Sequence, residues 1–85
     1  MKRDYSKARE WYEKAAKQGF AMAQYGLGAM YEHGLGGVEQ SDSIAMRWYG
    51  RAAAQGLEEA KQKCDTILQK RRAEKMRQKE KEREG

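Results

Sequence analysis

Residues 11–19 read WYEKAAKQG, and residues 48–56 read WYGRAAAQG. The two stretches lie 37 positions apart, and the likeness runs past both of their ends. Setting 4–31 against 41–68 gives nine identities in 28 positions: Ser6/Ser43, Ala8/Ala45, Trp11/Trp48, Tyr12/Tyr49, Ala15/Ala52, Ala16/Ala53, Gln18/Gln55, Gly19/Gly56 and Ala23/Ala60. Ordinary composition gives roughly two or three. A segment that recurs at this interval is a unit that buries its apolar face by stacking on its neighbours.

The spacing inside the unit says what it is. Tyr5, Ala8, Trp11, Tyr12, Ala15 and Ala16 share one face of a helix, the i, i+3, i+4, i+7 pattern. This predicts a helix over about 4–17, with Asp4 as N-cap and Gly19 as the left-handed residue that ends it. Ala23, Leu27, Met30 and Tyr31 share the next face, predicting a helix over about 21–33 with Gly34 beyond it. The short turn between the two makes them antiparallel. After the connection Leu35-Gly36-Gly37-Val38-Glu39-Gln40, Ser41 caps a third helix over about 41–54, whose face is Ile44, Ala45, Trp48, Tyr49, Ala52 and Ala53. A fourth follows Gly56 over about 57–68, with Ala60, Cys64, Ile67 and Leu68 inward, and continues into the charged tail. No segment alternates as a strand does. The expected organisation is an N-terminal stub (1–3), a first repeat (4–40), a second, capping repeat (41–68) and a charged helical or frayed tail (69–85). The fold class is all-α: two stacked antiparallel helix hairpins with an extended C-terminal helix.

Composition agrees with a small folded body and a polar remainder. The chain has 85 residues, 39% hydrophobic and 36% charged, with 18 Lys+Arg against 13 Asp+Glu for a formal charge of +5. That length argues against a multidomain enzyme. Residues 69–85 hold eight basic and four acidic groups, a net of +4, so the first 68 carry only +1. The tail has Ala73 and Met76 as its only apolar residues and cannot bury enough surface to fold by itself. With Cys64 the only cysteine, neither an internal disulfide nor a multi-cysteine zinc site can form. The longest uncharged run, Gln18 to Tyr31, has 14 residues, short of the ~20 that cross a bilayer. Charged residues stand where a secretory signal would place its apolar segment. The localisation expected from these features is cytoplasmic.

The pattern A-x-x-W-Y-x-K-A-A-x-Q-G, then A-x-x-x-L-G-x-x-Y, then G-x-G-V resembles the Sel-one-like repeat, a relative of the tetratricopeptide repeat. Here it reads Ala8, Trp11-Tyr12, Lys14-Ala15-Ala16, Gln18-Gly19, Ala23, Leu27-Gly28, Tyr31, then Gly34, Gly36 and Val38. The resemblance covers residues 4–68. It implies right-handed superhelical stacking of helix pairs, a TPR-like α/α solenoid, and a role as scaffold or adaptor for other proteins, commonly in bacteria. The loop carries one glycine more than the pattern. In the second unit L-G-x-x-Y has become Cys64-Asp65-Thr66-Ile67-Leu68, with Gln62 and Lys63 where Tyr25 and Gly26 stood. Charged groups at stacking positions make this last helix a polar cap. The first helix has no preceding helix over it, an uncovered edge for another copy or a partner.

Trp11, Tyr12, Ala15, Ala16, Gly19, Leu27, Gly28, Tyr31, Trp48, Tyr49, Ala52, Ala53 and Gly56 are read as the structural motif. The alanines let helices approach, while both tryptophans and both tyrosines fill the wider gaps as core. Gly26 and Gly28 weaken an isolated helix by ~1 kcal/mol each, compensated by close packing of the third helix. His33 reads as a surface residue at a helix end, and Cys64, which replaces Leu27 by the repeat shift, as a buried inert thiol. Gly34-Leu35-Gly36-Gly37 lacks the strand-and-helix context of a phosphate loop. Glu10 with Glu13, and Glu58 with Glu59, lack the nucleophile or histidine that an acid/base pair would serve. No catalytic residue, cofactor or metal is expected.

The resemblance puts the first and third helices on the concave face of the solenoid. Glu10, Lys14, Arg47 and Arg51, a two-rung ladder of charge across the repeat, are therefore the candidate protein-binding residues. The expected function is a non-catalytic scaffold that binds a protein or peptide there or on the uncovered N-terminal edge, where homo-oligomers could also form. The alternative is association with nucleic acid or an anionic membrane through residues 69–85. The four interspersed glutamates and the lack of aromatic residues in that stretch weigh against it.

Overall fold

The computed structural model describes residues 5–84, with side chains described through residue 77. Among them stand four helices and no strand: α1 (Tyr5–Lys17), α2 (Ala21–His33), α3 (Asp42–Ala54) and α4 (Glu58–Glu84). Asp4, expected to cap α1, lies outside the described residues. Each helix packs on the next in sequence, and the α2–α3 contact is the most extensive.

Both hairpin turns use the same backbone device. Gly19 N donates to Ala16 O (3.0 Å) and Phe20 N to Ala15 O (3.2 Å); one repeat on, Gly56 N donates to Ala53 O (2.9 Å) and Leu57 N to Ala52 O (3.2 Å). These are the paired bonds that close a helix on a left-handed residue, and Gly19 and Gly56 have φ of 97° and 95°. The repeated Ala-Ala-x-Gln-Gly thus encodes its own stop. Ser41 caps α3 with Ile44 N donating to Ser41 Oγ at 3.2 Å.

Two buried clusters form the core. Ala16, Ala23 and Leu27 make the first, with Tyr12, Ala15, Tyr31 and Trp48 packed against it. Ala45, Tyr49, Ala52, Ala60 and Ile67 make the second. Helix α2 sits between α1 and α3, and its two interior glycines explain how it fits. A methyl group built on Gly26 would lie 2.8 Å from Tyr12 Cε1, and one built on Gly28 would lie 2.8 Å from Tyr49 Cδ1 and 3.2 Å from the Ala45 carbonyl oxygen. Tyr12 and Tyr49 are repeat equivalents, so the same side chain meets α2 from either side. Only Gly28 is compensated by α3; Gly26 is compensated by α1, which corrects the expectation that α3 approaches both.

Further corrections concern residues expected inside. Trp11 is 64% exposed, and Tyr5 (37%), Ile44 (37%) and Leu68 (40%) are also open to solvent. Trp48 is packed because α2 lies beneath it, whereas Trp11 has no earlier helix over it. Leu68 is the equivalent of Tyr31, which packs against both clusters because α3 follows it; no described helix follows α4. Tyr5 sits in the first turn of α1, with the loop residue Gly36 against its carbonyl, and Ile44 borders a small cavity beside that loop. Beyond Leu68 the helix continues as an exposed rod, residues 69–77 all being open to solvent.

The glycine contacts separate two effects of opposite sign. Gly28→Ala gains ~1 kcal/mol of helix propensity but drives a methyl into Tyr49 and a backbone carbonyl, an overpacking cost of ~1–3 kcal/mol. Gly50, in exposed α3 backbone with nothing within 4 Å of an added methyl, carries only the first term. In urea unfolding, Gly50→Ala is expected to stabilise by ~0.5–1 kcal/mol, while Gly28→Ala is neutral or destabilises.

Candidate functional site

On helix α1, Trp11, Lys14, Ala15 and Gln18 fall at one-turn intervals along one stripe. With Tyr12, and with Phe20, Met22 and Ala23 from the following turn and the start of α2, they line a groove of about 640 Å³. Three of these side chains are large, apolar and mostly in water: Trp11 at 64%, Phe20 at 60% and Met22 at 67%. The Trp11 indole is held by an edge contact with Tyr12, ring centres 5.4 Å apart, and Tyr12 is itself seated on Gly26. The exposed indole is therefore positioned by the core.

The same stripe one repeat later shows what these residue types do when covered. Trp48 packs on the cluster of Ala16, Ala23 and Leu27, with the Arg51 guanidinium 4.7 Å from its ring centre. Gln55 Nε2 donates to Gln24 Oε1 at 2.9 Å, and Gln24 Nε2 donates to Ala16 O at 3.2 Å. Gln24 is buried, and this relay satisfies its amide while tying α3 to α2 and α1, as a buried amide requires. Trp11, Lys14 and Gln18 are the equivalents of Trp48, Arg51 and Gln55.

The four candidate binding residues separate. Lys14 borders the groove, Arg51 stacks on Trp48, and Glu10 and Arg47 are exposed on α1 and α3. A smaller cavity of about 420 Å³ lies between Arg9, Tyr31, residues 37–41 and Ile44; the Arg9 Nε is buried there without a hydrogen-bond partner. Cys64 is partly buried, its Sγ 3.9 Å from Met46 O, and burial pushes its thiol above the ordinary value. His33 is exposed, with Nε2 3.7 Å from Glu32 Oε1. No described helix is long and apolar enough to cross a membrane, and no group of three metal-ligating residues gathers among the described residues.

Sequence reasoning missed Phe20 and Met22 as parts of an exposed patch, and Gln24 and Gln55 as a polar link. The conserved interval between Gln18 and Gln55 was the available signal for the link. Nothing in the sequence marked Glu32, whose carboxylate accepts from Tyr49 Oη at 2.7 Å.

A family model for the Sel1 repeat matches residues 1–20 and 21–57. The chain belongs to the Sel1 repeat family. The boundary between the two matches falls between α1 and α2, so the longer match pairs α2 with α3, the two helices in most extensive contact. A crystal structure of a Sel1 repeat protein from Oxalobacter formigenes is similar with a TM-score of 0.70 and 46% identity, covering 74% of this chain and 47% of that one. Chitin synthase regulatory factor 3 of Schizosaccharomyces pombe is 47% identical over 55 residues, 65% of this chain and 6% of that protein. Chitin synthase regulator SKT5 of Saccharomyces cerevisiae is 38% identical over 53 residues, 62% of this chain and 8% of that protein. The Sel1 chain thus spans less than a tenth of these two relatives. Relatives in two yeasts as well as a bacterium leave the expected bacterial origin unsupported.

Tyr49 gives a pH signature for the α2–α3 contact. Burial first, then the hydrogen bond to Glu32, pushes its phenol far above the ordinary 10.0. The folded state therefore keeps a proton that the unfolded chain releases above pH 10, so this contribution is complete below that pH and declines as pH rises beyond it. Tyr49→Phe is expected to cost ~1 kcal/mol at pH 7 through the lost hydrogen bond. Urea unfolding at a series of pH values should show the gap between variant and parent closing above pH 10.

Proposed function

We propose that this Sel1 repeat chain is a non-catalytic scaffold that holds a protein, or a peptide segment of one, against the groove at its N-terminal edge. The supporting observation is the contrast between two equivalent tryptophans: Trp48 is packed against another unit, and Trp11 is 64% exposed. Scattered exposed apolar residues are ordinary, but an indole, a phenyl ring and a thioether clustered on one groove are the composition of a docking site. Tryptophan is also the residue type that most often dominates interface energy. Lys14 at the rim supplies the polar border.

In this reading Glu10 and Arg47 tune approach and partner choice, as rim charges do, and Arg51 is engaged with Trp48. The names of the two yeast relatives describe regulators of an enzyme, which fits a module that acts through what it holds. The basic extension is secondary here: its charge would attract anions, but it has no aromatic residue to stack a base and no apolar stripe to lie in a membrane.

A photo-crosslinking side chain placed at position 11, or at Lys61 as control, tests the reading in the native cell. Protein adducts are expected from position 11 and not from position 61. Equal adducts from both positions, or none from position 11, would contradict it.

A further inference from the structure

The groove continues, one repeat earlier, the interface that α2 and α3 already form. That interface gives the chemistry of what fills the equivalent place in the second unit. Trp48 rests on Ala23 and Leu27 of α2 and on Ala16, and Gln55 donates to Gln24 Oε1 at 2.9 Å. The strip presented to α3 is therefore alanine, glutamine and leucine at i, i+1 and i+4 of one helix, within a run from Gln18 to Tyr31 that carries no charge. Small residues let the indole lie flat on the helix, and the glutamine amide answers the one polar group in the seam.

We infer that the groove of Trp11, Gln18, Phe20 and Met22 binds an uncharged helical segment of a second protein that carries alanine, glutamine and leucine at i, i+1 and i+4. The inference rests on the docking role proposed above. The indole of Trp11 covers the alanine and leucine, and Gln18 Nε2 donates to the partner's glutamine, as Gln55 does to Gln24. Lys14 takes the place of Arg51 over the indole. The chain's own last helix is a poor occupant: Lys61 and Lys63 stand where Gln24 and Gly26 stand in α2, and Lys61 would meet Gln18 with an unpaired charge beside Lys14. Head-to-tail pairing of two copies is thereby disfavoured.

The test uses the full chain and a fluorescent, lactam-stapled 14-residue peptide with Ala, Gln and Leu at those positions and glutamine on its outer face. Circular dichroism first establishes that this peptide and a control with arginine in place of the alanine are equally helical. Anisotropy titration is expected to show saturable binding of the first peptide only, weakened about tenfold or more by Trp11→Ala. Gln18→Ala combined with loss of the peptide glutamine is expected to cost less than the sum of the two single changes, the mark of a direct pair. Circular dichroism of both protein variants, altered at exposed positions, confirms that each retains its helices. Three outcomes overturn the inference: no binding by the helical peptide, equal binding of the arginine control, or additive loss at the glutamine pair. If crosslinks still form from position 11 in any of these cases, the docking role survives and only the assigned partner chemistry falls. Concentration-dependent dimers that displace the peptide would overturn it in favour of a second copy.

Discussion

Two tyrosines one repeat apart meet the same helix from opposite sides, and each closes on a glycine. Tyr12 fills the space over Gly26 and Tyr49 the space over Gly28, at approaches that leave no room for a methyl group. The rest of the arrangement follows from that constraint. With α1 and α3 held this close to α2, alanines at 16, 23, 45 and 52 are enough to complete a buried seam, and the Gln24 relay spans three segments at hydrogen-bond length. Glycine lowers the propensity of the isolated helix, and burial of the two aromatic rings offsets that loss. The helix is therefore stable mainly in the company of its neighbours, as expected of a stacked repeat.

The same logic makes the two ends of the body unlike. At the C-terminal side, α4 replaces the small and apolar stacking residues of α2 with Lys61, Gln62, Lys63 and Asp65, and then runs on as a solvated, highly charged helix. At the N-terminal side, the stripe of Trp11, Lys14 and Gln18 keeps the residue types that its equivalents use for stacking. One end closes the stack and the other keeps it adhesive. A module so built adds a binding surface without any reacting group, which suits a protein that organises others.

Much of this was legible in the sequence because the repeat states it twice. The helical periodicity and the Gly19 and Gly56 stops depend on local chemistry, which a sequence carries directly. The position of Trp11 was not legible in the same way. Periodicity assigns it to the apolar face of its helix, correctly, but burial depends on whether a neighbour covers that face. Ile44 and Leu68 were misjudged for the same reason. The partner of Gly26 was missed because a glycine reports that something approaches but not from which side. Glu32 and Gln24 are polar residues whose roles arise only when distant hydroxyl and amide groups arrive, and no spacing rule foretells that. Among the ladder residues, equivalence across the repeat was real, yet Lys14 and Arg51 sit in different surroundings because only one of the two units has a unit before it.

The seating of the two tyrosines on the two glycines can be observed directly by proton NMR of the folded chain. Ring currents displace the α-protons of a glycine lying under an aromatic face. The account predicts strongly upfield α-protons at both Gly26 and Gly28, with nuclear Overhauser contacts from Tyr12 to the first and from Tyr49 to the second. Glycine α-protons at free-chain shifts, with neither contact present, would contradict it.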